Sequence, residues 1–112
     1  MIEYLNGPAT SEWGAKRAAN GHPAPYDVKY IEIGNEEQIL HESREGYDHY
    51  IERFNILHDA MKAKDPNLEL IIAIDWKPGS PEMERVFKAL DGKAAYWDYH
   101  PCLLYTSPSP RD

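Results

Sequence analysis

LELIIAI, Leu68–Ile74, is nearly continuous in apolar residues. Such a run is typical of a strand that is buried on both faces of a parallel sheet. Upstream, VKYIEI (Val28–Ile33) alternates in character and is rich in β-branched and aromatic residues, which also predicts a strand. Ala94–Tyr99 is short and aromatic enough to form a third strand.

Two helical patterns separate the three strands. Ser43–Lys64 carries apolar residues at spacings of three and four, and Asp65–Asn67 ends it because a residue before proline leaves the helical region. Ser80 and Pro81 open the second helix as its cap and its first residue, and Gly92 stops it. The predicted buried faces comprise Tyr47, Tyr50, Ile51, Phe54, Leu57 and Met61 on the first helix and Met83, Val86, Phe87 and Leu90 on the second.

This order is a βαβαβ unit, and right-handed crossovers make its sheet parallel. Three parallel strands with open edges are a poor independent fold, and a complete (β/α)8 barrel needs about 250 residues. The chain has 112 residues, so we predict an α/β fragment, about three βα units of a (β/α)8 TIM barrel. Ahead of it, Met1–Pro8 is predicted to be a helix or strand end. Ala9–Asp27 is predicted to be a long irregular loop, and such loops often surround active sites.

The composition excludes several classes of partner. The formal net charge of -7 argues against nucleic acid, because phosphate binding needs a clustered basic face. No apolar run approaches the ~20 residues of a membrane span, and no signal peptide is visible, so localisation stays open. Cys102 is the only cysteine, which excludes a disulfide within the chain. These patterns do not determine the oligomeric state.

Polar residues follow each predicted strand, at the edge where active sites of parallel α/β proteins lie. The tetrapeptide Gly34–Glu37 follows the first strand, Asp75–Lys77 follows the second, and Asp98 and His100 end the third. A sugar needs hydrogen bonds around its ring, an apolar platform for its face and a carboxyl group that protonates the departing oxygen. The carboxylate, amide, imidazole and indole groups on this rim therefore suit a sugar site.

Several of these residues also have ordinary structural explanations. A solvated acidic pair ahead of a helix explains Glu36 and Glu37 as well as catalysis does, and packing explains Trp76 as well as sugar binding does. Glu32 lies within the strand, where an ion pair between barrel and helix is the better explanation. Loop rigidity accounts for His22 at least as well as substrate contact. The helix histidines lack the i,i+4 spacing of a metal site: His41, His49 and His58.

The run WGAKRAANGHPAPYDVKYIEIGNEE, Trp13–Glu37, resembles the α-L-arabinofuranosidases of glycoside hydrolase family fifty-one. These enzymes show a W-G-x-x-R-x-x-x-G-H-P-x-P-Y segment that leads into a strand ending in I-G-N-E. EYLNG (Glu3–Gly7) and the closing W-D-x-H-P (Trp97–Pro101) also fit, so the resemblance covers Ile2–Pro101. The spaced combination is far more specific than any one piece.

The resemblance implies a (β/α)8 retaining glycosidase whose acid/base Glu follows an Asn at the end of the fourth barrel strand. It implies that Asn35 bonds the sugar 2-hydroxyl, that Glu36 is the general acid and base, and that His100 contacts substrate or the carboxylates. Trp76 is a further candidate for substrate binding. The resemblance implies neither a metal nor a cofactor. The family nucleophile is a Glu on a later strand, and Glu37 cannot replace it, because neighbouring residues do not face each other at the ~5 Å retaining separation.

The expected partner is therefore carbohydrate, and the expected reaction is release of terminal α-L-arabinofuranosyl residues from arabinoxylan or arabinan by double displacement. The chain as given is expected to be inactive, since it holds no residue to serve as nucleophile. Two alternatives stay open. One is a related glycosidase of other specificity, such as an endoglucanase or a xylosidase, and the other is a barrel that binds carbohydrate without catalysis.

The last residues form a separate segment. CLLYTSPSPRD, Cys102–Asp112, resembles the translation of a transposase adapter used in DNA library preparation. We therefore expect residues 1–101 to be part of a catalytic barrel that includes the acid/base strand. Residues 102–112 are expected to be a non-native tail, and the native reading frame is expected to continue past Pro101.

Overall fold

The structure is a computed structural model that describes residues 1–37, 44–74 and 78–100. Helices and strands alternate from the first strand onward, as the sequence predicts. The described elements are α1 (Ile2–Asn6), α2 (Glu12–Ala19), β1 (Tyr30–Ile33), α3 (Arg44–Lys64), β2 (Glu69–Ile72), α4 (Pro81–Ala89) and β3 (Ala94–Trp97).

The strands form one sheet in the order β1-β2-β3, and both pairs are parallel. The predicted βαβαβ unit is therefore confirmed. Strand β1 begins at Tyr30 and not at Val28, because the side-chain amide of Asn6 pairs with the backbone of Val28. Asn6 Nδ2 donates to the Val28 carbonyl and Asn6 Oδ1 accepts from the Val28 N–H, both at 2.8 Å.

The core lies between the helices and one face of the sheet. Successive strand residues point to opposite faces, so Ile33, Leu70 and Ile72 share the helix-facing side. They pack on the buried side chains of α3 and of the segment from Met83 to Leu90: Tyr47, Tyr50, Phe54, Met83, Val86 and Leu90. The opposite face carries Tyr30 and Tyr96, which are 49% and 54% exposed and meet edge to face.

Helix α4 forms where the sequence predicts it, with one difference in its packing. Ser80 Oγ accepts from the Met83 N–H at 3.3 Å, and Pro81 is the first helical residue. Gly92, at a φ of +74°, lies in the turn after the helix. Phe87, predicted to be buried, is 41% exposed. Its ring lies against Trp97 of the edge strand β3, 5.3 Å between centroids, which leaves the ring's outer side open.

The prediction that Ala9–Asp27 is irregular is wrong, because this stretch contains α2. Ser11 caps the helix by accepting from the Gly14 N–H at 3.1 Å. Gly14 allows a close approach, since a Cβ there would lie 1.9 Å from the Pro8 carbonyl oxygen. The glycines and prolines that suggested a loop therefore serve tight packing and the turns that flank a short helix.

Arg17 holds this N-terminal segment together. Its side chain is fully buried, and its guanidinium donates to the carbonyls of Tyr4, Gly7, His22 and Pro23 at 2.7 to 3.0 Å. Asn6 of this segment bonds Val28 just ahead of β1 and, at 2.8 Å, Asp65 just ahead of β2. These contacts place the segment at the end of the sheet where the strands begin. The prediction that this stretch surrounds an active site at the strand ends is therefore wrong.

Candidate active site

The turn after β1 carries the predicted acid/base. Gly34 has a φ of +99°, and a Cβ there would lie 2.4 Å from the Glu37 carboxylate, so only glycine fits this position. Glu36 itself has a φ of +46°, in the left-handed region that residues with a side chain seldom adopt. Such strained positions concentrate at functional sites.

The same turn separates the two adjacent glutamates. The Glu37 carboxylate accepts from Arg53 Nη2 of α3 at 2.6 Å, and its backbone N–H donates to the Ala73 carbonyl at 3.1 Å. The Glu37 side chain is only 13% exposed, whereas that of Glu36 is 42% exposed. Glu37 is thus an anchor, and Glu36 is the carboxylate presented at the open rim.

A buried tyrosine joins the ends of β1 and β2 below this turn. Tyr50 Oη donates to the Ile33 carbonyl and accepts from the Ala73 N–H, both at 2.9 Å. Burial raises the pKa of Tyr50 well above its ordinary value, so the hydroxyl keeps the proton that it donates. The hydroxyl bridges two strands where ladder pairing has ended, and it fixes the base of the Glu36 turn.

His100 connects the end of β3 to Glu36. Its Nε2 lies 2.8 Å from Asp98 Oδ2, and its Nδ1 lies 3.2 Å from Glu36 Oε1. The hydrogen bond with Asp98, followed by the one with Glu36, raises the pKa of His100 to about 9. Near pH 7 the ring is therefore an imidazolium that donates from both nitrogens, one to each carboxylate.

Glu32 does not form the predicted ion pair between barrel and helix. Ile31 and Ile33 take the positions that pack on the core, so Glu32 points to the other face of the sheet. There it lies beside Asp98 and His100. Burial, and next the charge of Asp98, raise the pKa of Glu32. The alternation of apolar and polar residues along the strand already indicated that Glu32 points away from the helices.

Among the described residues, one group of three could in principle share a cation: Glu32, Asp98 and His100 place ligand atoms within 4.8 Å of one another. A metal needs a lone pair on an imidazole nitrogen. Each His100 nitrogen already lies within hydrogen-bonding distance of a carboxyl oxygen, Nε2 of Asp98 and Nδ1 of Glu36. Asp98, His100 and Glu36 thus form a hydrogen-bonded chain, and Glu32 lies beside it.

The remaining predicted residues have different outcomes. Asn35 lies exposed on the rim, directly before Glu36. Trp76 lies outside the described residues, as do His41 and the tail from residue 101 onward. His22 contributes to loop structure: its ring stacks on Tyr26 at 3.9 Å between centroids and contacts the Ala24 carbonyl at 2.6 Å.

Comparison with known proteins assigns the family. A family model described as the alpha-L-arabinofuranosidase 1 domain matches residues 1–108. The chain belongs to this α-L-arabinofuranosidase family. A probable alpha-L-arabinofuranosidase A of Emericella nidulans is 36% identical over 109 residues, which cover 88% of this chain and 19% of that protein. Alpha-L-arabinofuranosidase 2 of Arabidopsis thaliana is 35% identical over 105 residues, covering 94% of this chain and 13% of that protein.

Family members of known structure share the fold. The α-L-arabinofuranosidase of Thermotoga maritima, solved as an arabinose complex, superposes with a TM-score of 0.73 at 27% identity. That match covers 88% of this chain and 20% of the other. The predicted resemblance and the α/β class with βα units of a TIM barrel are confirmed. The chain thus spans about a fifth or less of these relatives. None of the described helices has the length and apolar character that crossing a membrane requires.

Proposed function

We propose that this chain forms the acid/base portion of a retaining glycoside hydrolase that releases terminal α-L-arabinofuranosyl residues from plant polysaccharides. The observation that supports this function best is the division between the two glutamates. Glu36 is presented at the strand ends beside His100, while Glu37 is bound to Arg53. A carboxyl group that is 42% exposed on the rim, directly after the exposed Asn35, suits protonation of a glycosidic oxygen.

The reaction proceeds in two displacements. In the first, Glu36 gives its proton to the glycosidic oxygen as the bond from that oxygen to the anomeric carbon breaks, and a carboxylate elsewhere in the full-length protein bonds to that carbon. In the second, Glu36 takes a proton from water as the water oxygen displaces that carboxylate. Asn35 would donate to the sugar 2-hydroxyl. Trp76, a candidate from the sequence, would provide an apolar surface for the face of the sugar ring.

The domain organisation is part of this proposal. Residues 1–101 would form part of a catalytic (β/α)8 barrel that includes the acid/base strand, and residues 102–112 would be a non-native tail. The nucleophile would lie on a later strand, so hydrolysis requires the full-length protein.

The test is a substitution of Glu36 in the full-length enzyme. We expect Glu36→Ala to lower the turnover of an arabinoxylan or arabinan oligosaccharide by about 10²–10⁴-fold, the usual contribution of a general acid. With a 2,4-dinitrophenyl arabinofuranoside, which needs no acid, added azide should restore turnover and give an arabinosyl azide of retained configuration. Glu12→Ala, at an exposed position on α2, is the control and should behave as the wild type.

Three results would contradict the proposal. A wild-type enzyme that cleaves xylosides or glucans and not arabinofuranosides would show another specificity. A Glu36→Ala enzyme with undiminished activity on the oligosaccharide would remove Glu36 from the mechanism. Binding of arabinan without any hydrolysis would point to a carbohydrate-binding barrel.

A further inference from the structure

We propose that Asp98 is a positioning residue for the acid/base: its carboxylate holds the His100 ring at Nε2, so that Nδ1 faces Glu36. This inference deepens the function proposed above and rests on it. Asp98 would act through His100 and need not touch the substrate.

The backbone of Asp98 is itself fixed. Its N–H donates to the Ile72 carbonyl at 3.0 Å, so the pairing of β3 with β2 continues one residue past the strand. From this position its carboxylate lies 2.8 Å from Nε2 of His100, two residues on. A ring held at Nε2 presents its opposite edge, with Nδ1, to Glu36 Oε1 at 3.2 Å.

Three carboxyl groups of the described residues face His100: Asp98 from the end of β3, and Glu32 and Glu36 from β1 and the turn after it. Asp98 is the first cause of the raised pKa of His100 and Glu36 is the second. Burial and the charge of Asp98 drive Glu32 toward its neutral form. Asp98 is therefore the group whose removal should change the charge of His100 most.

A charged His100 has a specific effect on the reaction. Negative charge develops on Glu36 as its proton passes to the leaving oxygen, and a hydrogen bond from imidazolium stabilises that charge. Substrates with poor leaving groups depend on this proton transfer, whereas activated aryl substrates do not. Replacing Asp98 should therefore lower kcat/KM more for substrates with poor leaving groups than for activated aryl substrates. Misfolding would instead lower kcat/KM equally for all substrates.

The first experiment measures the ring directly. The full-length enzyme is labelled with ¹⁵N-histidine, and the His100 signals are assigned by their absence in His100→Gln. We expect both ring nitrogens to be protonated at pH 7.5 in the wild type, with a titration near pH 9. In Asp98→Asn the titration should move toward the ordinary histidine value near 6.5. A neutral His100 at pH 7.5 in the wild type would overturn the proposal without reference to any variant.

The second experiment is kinetic. We expect Asp98→Asn to lower kcat/KM about ten-fold for an oligosaccharide, a fraction of the full general-acid contribution, and less than about two-fold for the 2,4-dinitrophenyl substrate. Asp98→Glu should recover part of the loss. Asp91→Asn is the matched control: the same substitution at an exposed site ahead of β3. Equal losses on both substrates would mean a structural role and would overturn the proposal.

The two proposals fail separately. Azide rescue of Glu36→Ala tests the acid/base assignment and does not involve Asp98. If that rescue succeeds and Asp98→Asn leaves both the His100 titration and the leaving-group dependence unchanged, only the role of Asp98 is wrong. If Asp98→Asn does not fold, the protonation state of His100 in the wild type tests the proposal. A ring protonated at both nitrogens at pH 7.5 supports it, and a neutral ring overturns it.

Discussion

Glu36 and Glu37 are adjacent and chemically identical, yet their carboxylates occupy different surroundings. The positive φ values of Gly34 and Glu36 turn the chain sharply after β1, so one side chain goes to the rim and the other to α3. Neither residue type nor spacing distinguishes the pair, so sequence reasoning left both functional and solvated explanations open. The family motif singled out Glu36, and the ion pair with Arg53 supplies the physical reason for the difference.

Arg17 is a second residue whose role depends on its surroundings. Its buried guanidinium donates to four carbonyls, and one lysine ammonium cannot reach all four. Arg17→Lys should therefore lower the free energy of local opening of the N-terminal segment by about 3 kcal/mol, with kcat unchanged. Hydrogen exchange at the Tyr26 amide, which bonds the Leu5 carbonyl, measures this. Lys16→Met, at an exposed neighbour, is the control, and unchanged protection in Arg17→Lys would refute the role.

At the scale of elements, α3 positions the site through Tyr50. The hydroxyl is the only part of this side chain that phenylalanine lacks, and its loss would leave the Ile33 carbonyl and the Ala73 N–H without that partner in a buried setting. We expect Tyr50→Phe to lower the free energy of unfolding by about 2 kcal/mol. We also expect kcat to fall, since the base of the Glu36 turn loosens.

Thermal melting and steady-state kinetics of the full-length enzyme check this prediction. Tyr26→Phe is the control, because that ring is 48% exposed and keeps its stack on His22 without the hydroxyl. A Tyr50→Phe enzyme with wild-type melting temperature and kcat would show that the bridge contributes nothing.

The elements differ in how far the sequence predicts them. The helix faces and strands followed from hydrophobic period, because burial against the sheet imposes that period on α3, α4 and β2. Helix α2 was missed because the glycines and prolines of this stretch were interpreted as loop signals, whereas Gly14 lies inside the helix and allows its close approach to Pro8. The ion pair assigned to Glu32 was wrong because its position was judged alone, whereas alternation with Ile31 and Ile33 places it beside Asp98. The contacts of His100 with Asp98 and Glu36 could not be predicted from local pattern, because Glu36 comes near His100 only when β1 and β3 lie in one sheet.

At the scale of the whole molecule, the sheet has one covered face and one exposed face. Tyr30 and Tyr96 are about half exposed on the face opposite the helix-packed core, and both outer strands have one edge unpaired within the described residues. Apolar side chains and free strand edges in that position are costly in water. In a closed barrel the same face would be the packed interior, which agrees with the proposal that further βα units complete the fold.

The codons for Tyr99–Cys102 test whether the native reading frame continues past Pro101. The family match runs to residue 108 and marks no boundary at Pro101. The source DNA sequence is therefore needed to test whether residues 102–112 are native. We expect the source DNA, amplified and sequenced across these codons, to continue into further βα units with a strand-end Glu, because double displacement needs a second carboxylate facing Glu36. If the genome instead encodes CLLYTSPSPRD followed by a stop, no later strand can supply that carboxylate. The hydrolase mechanism proposed for Glu36 would then be wrong for this protein.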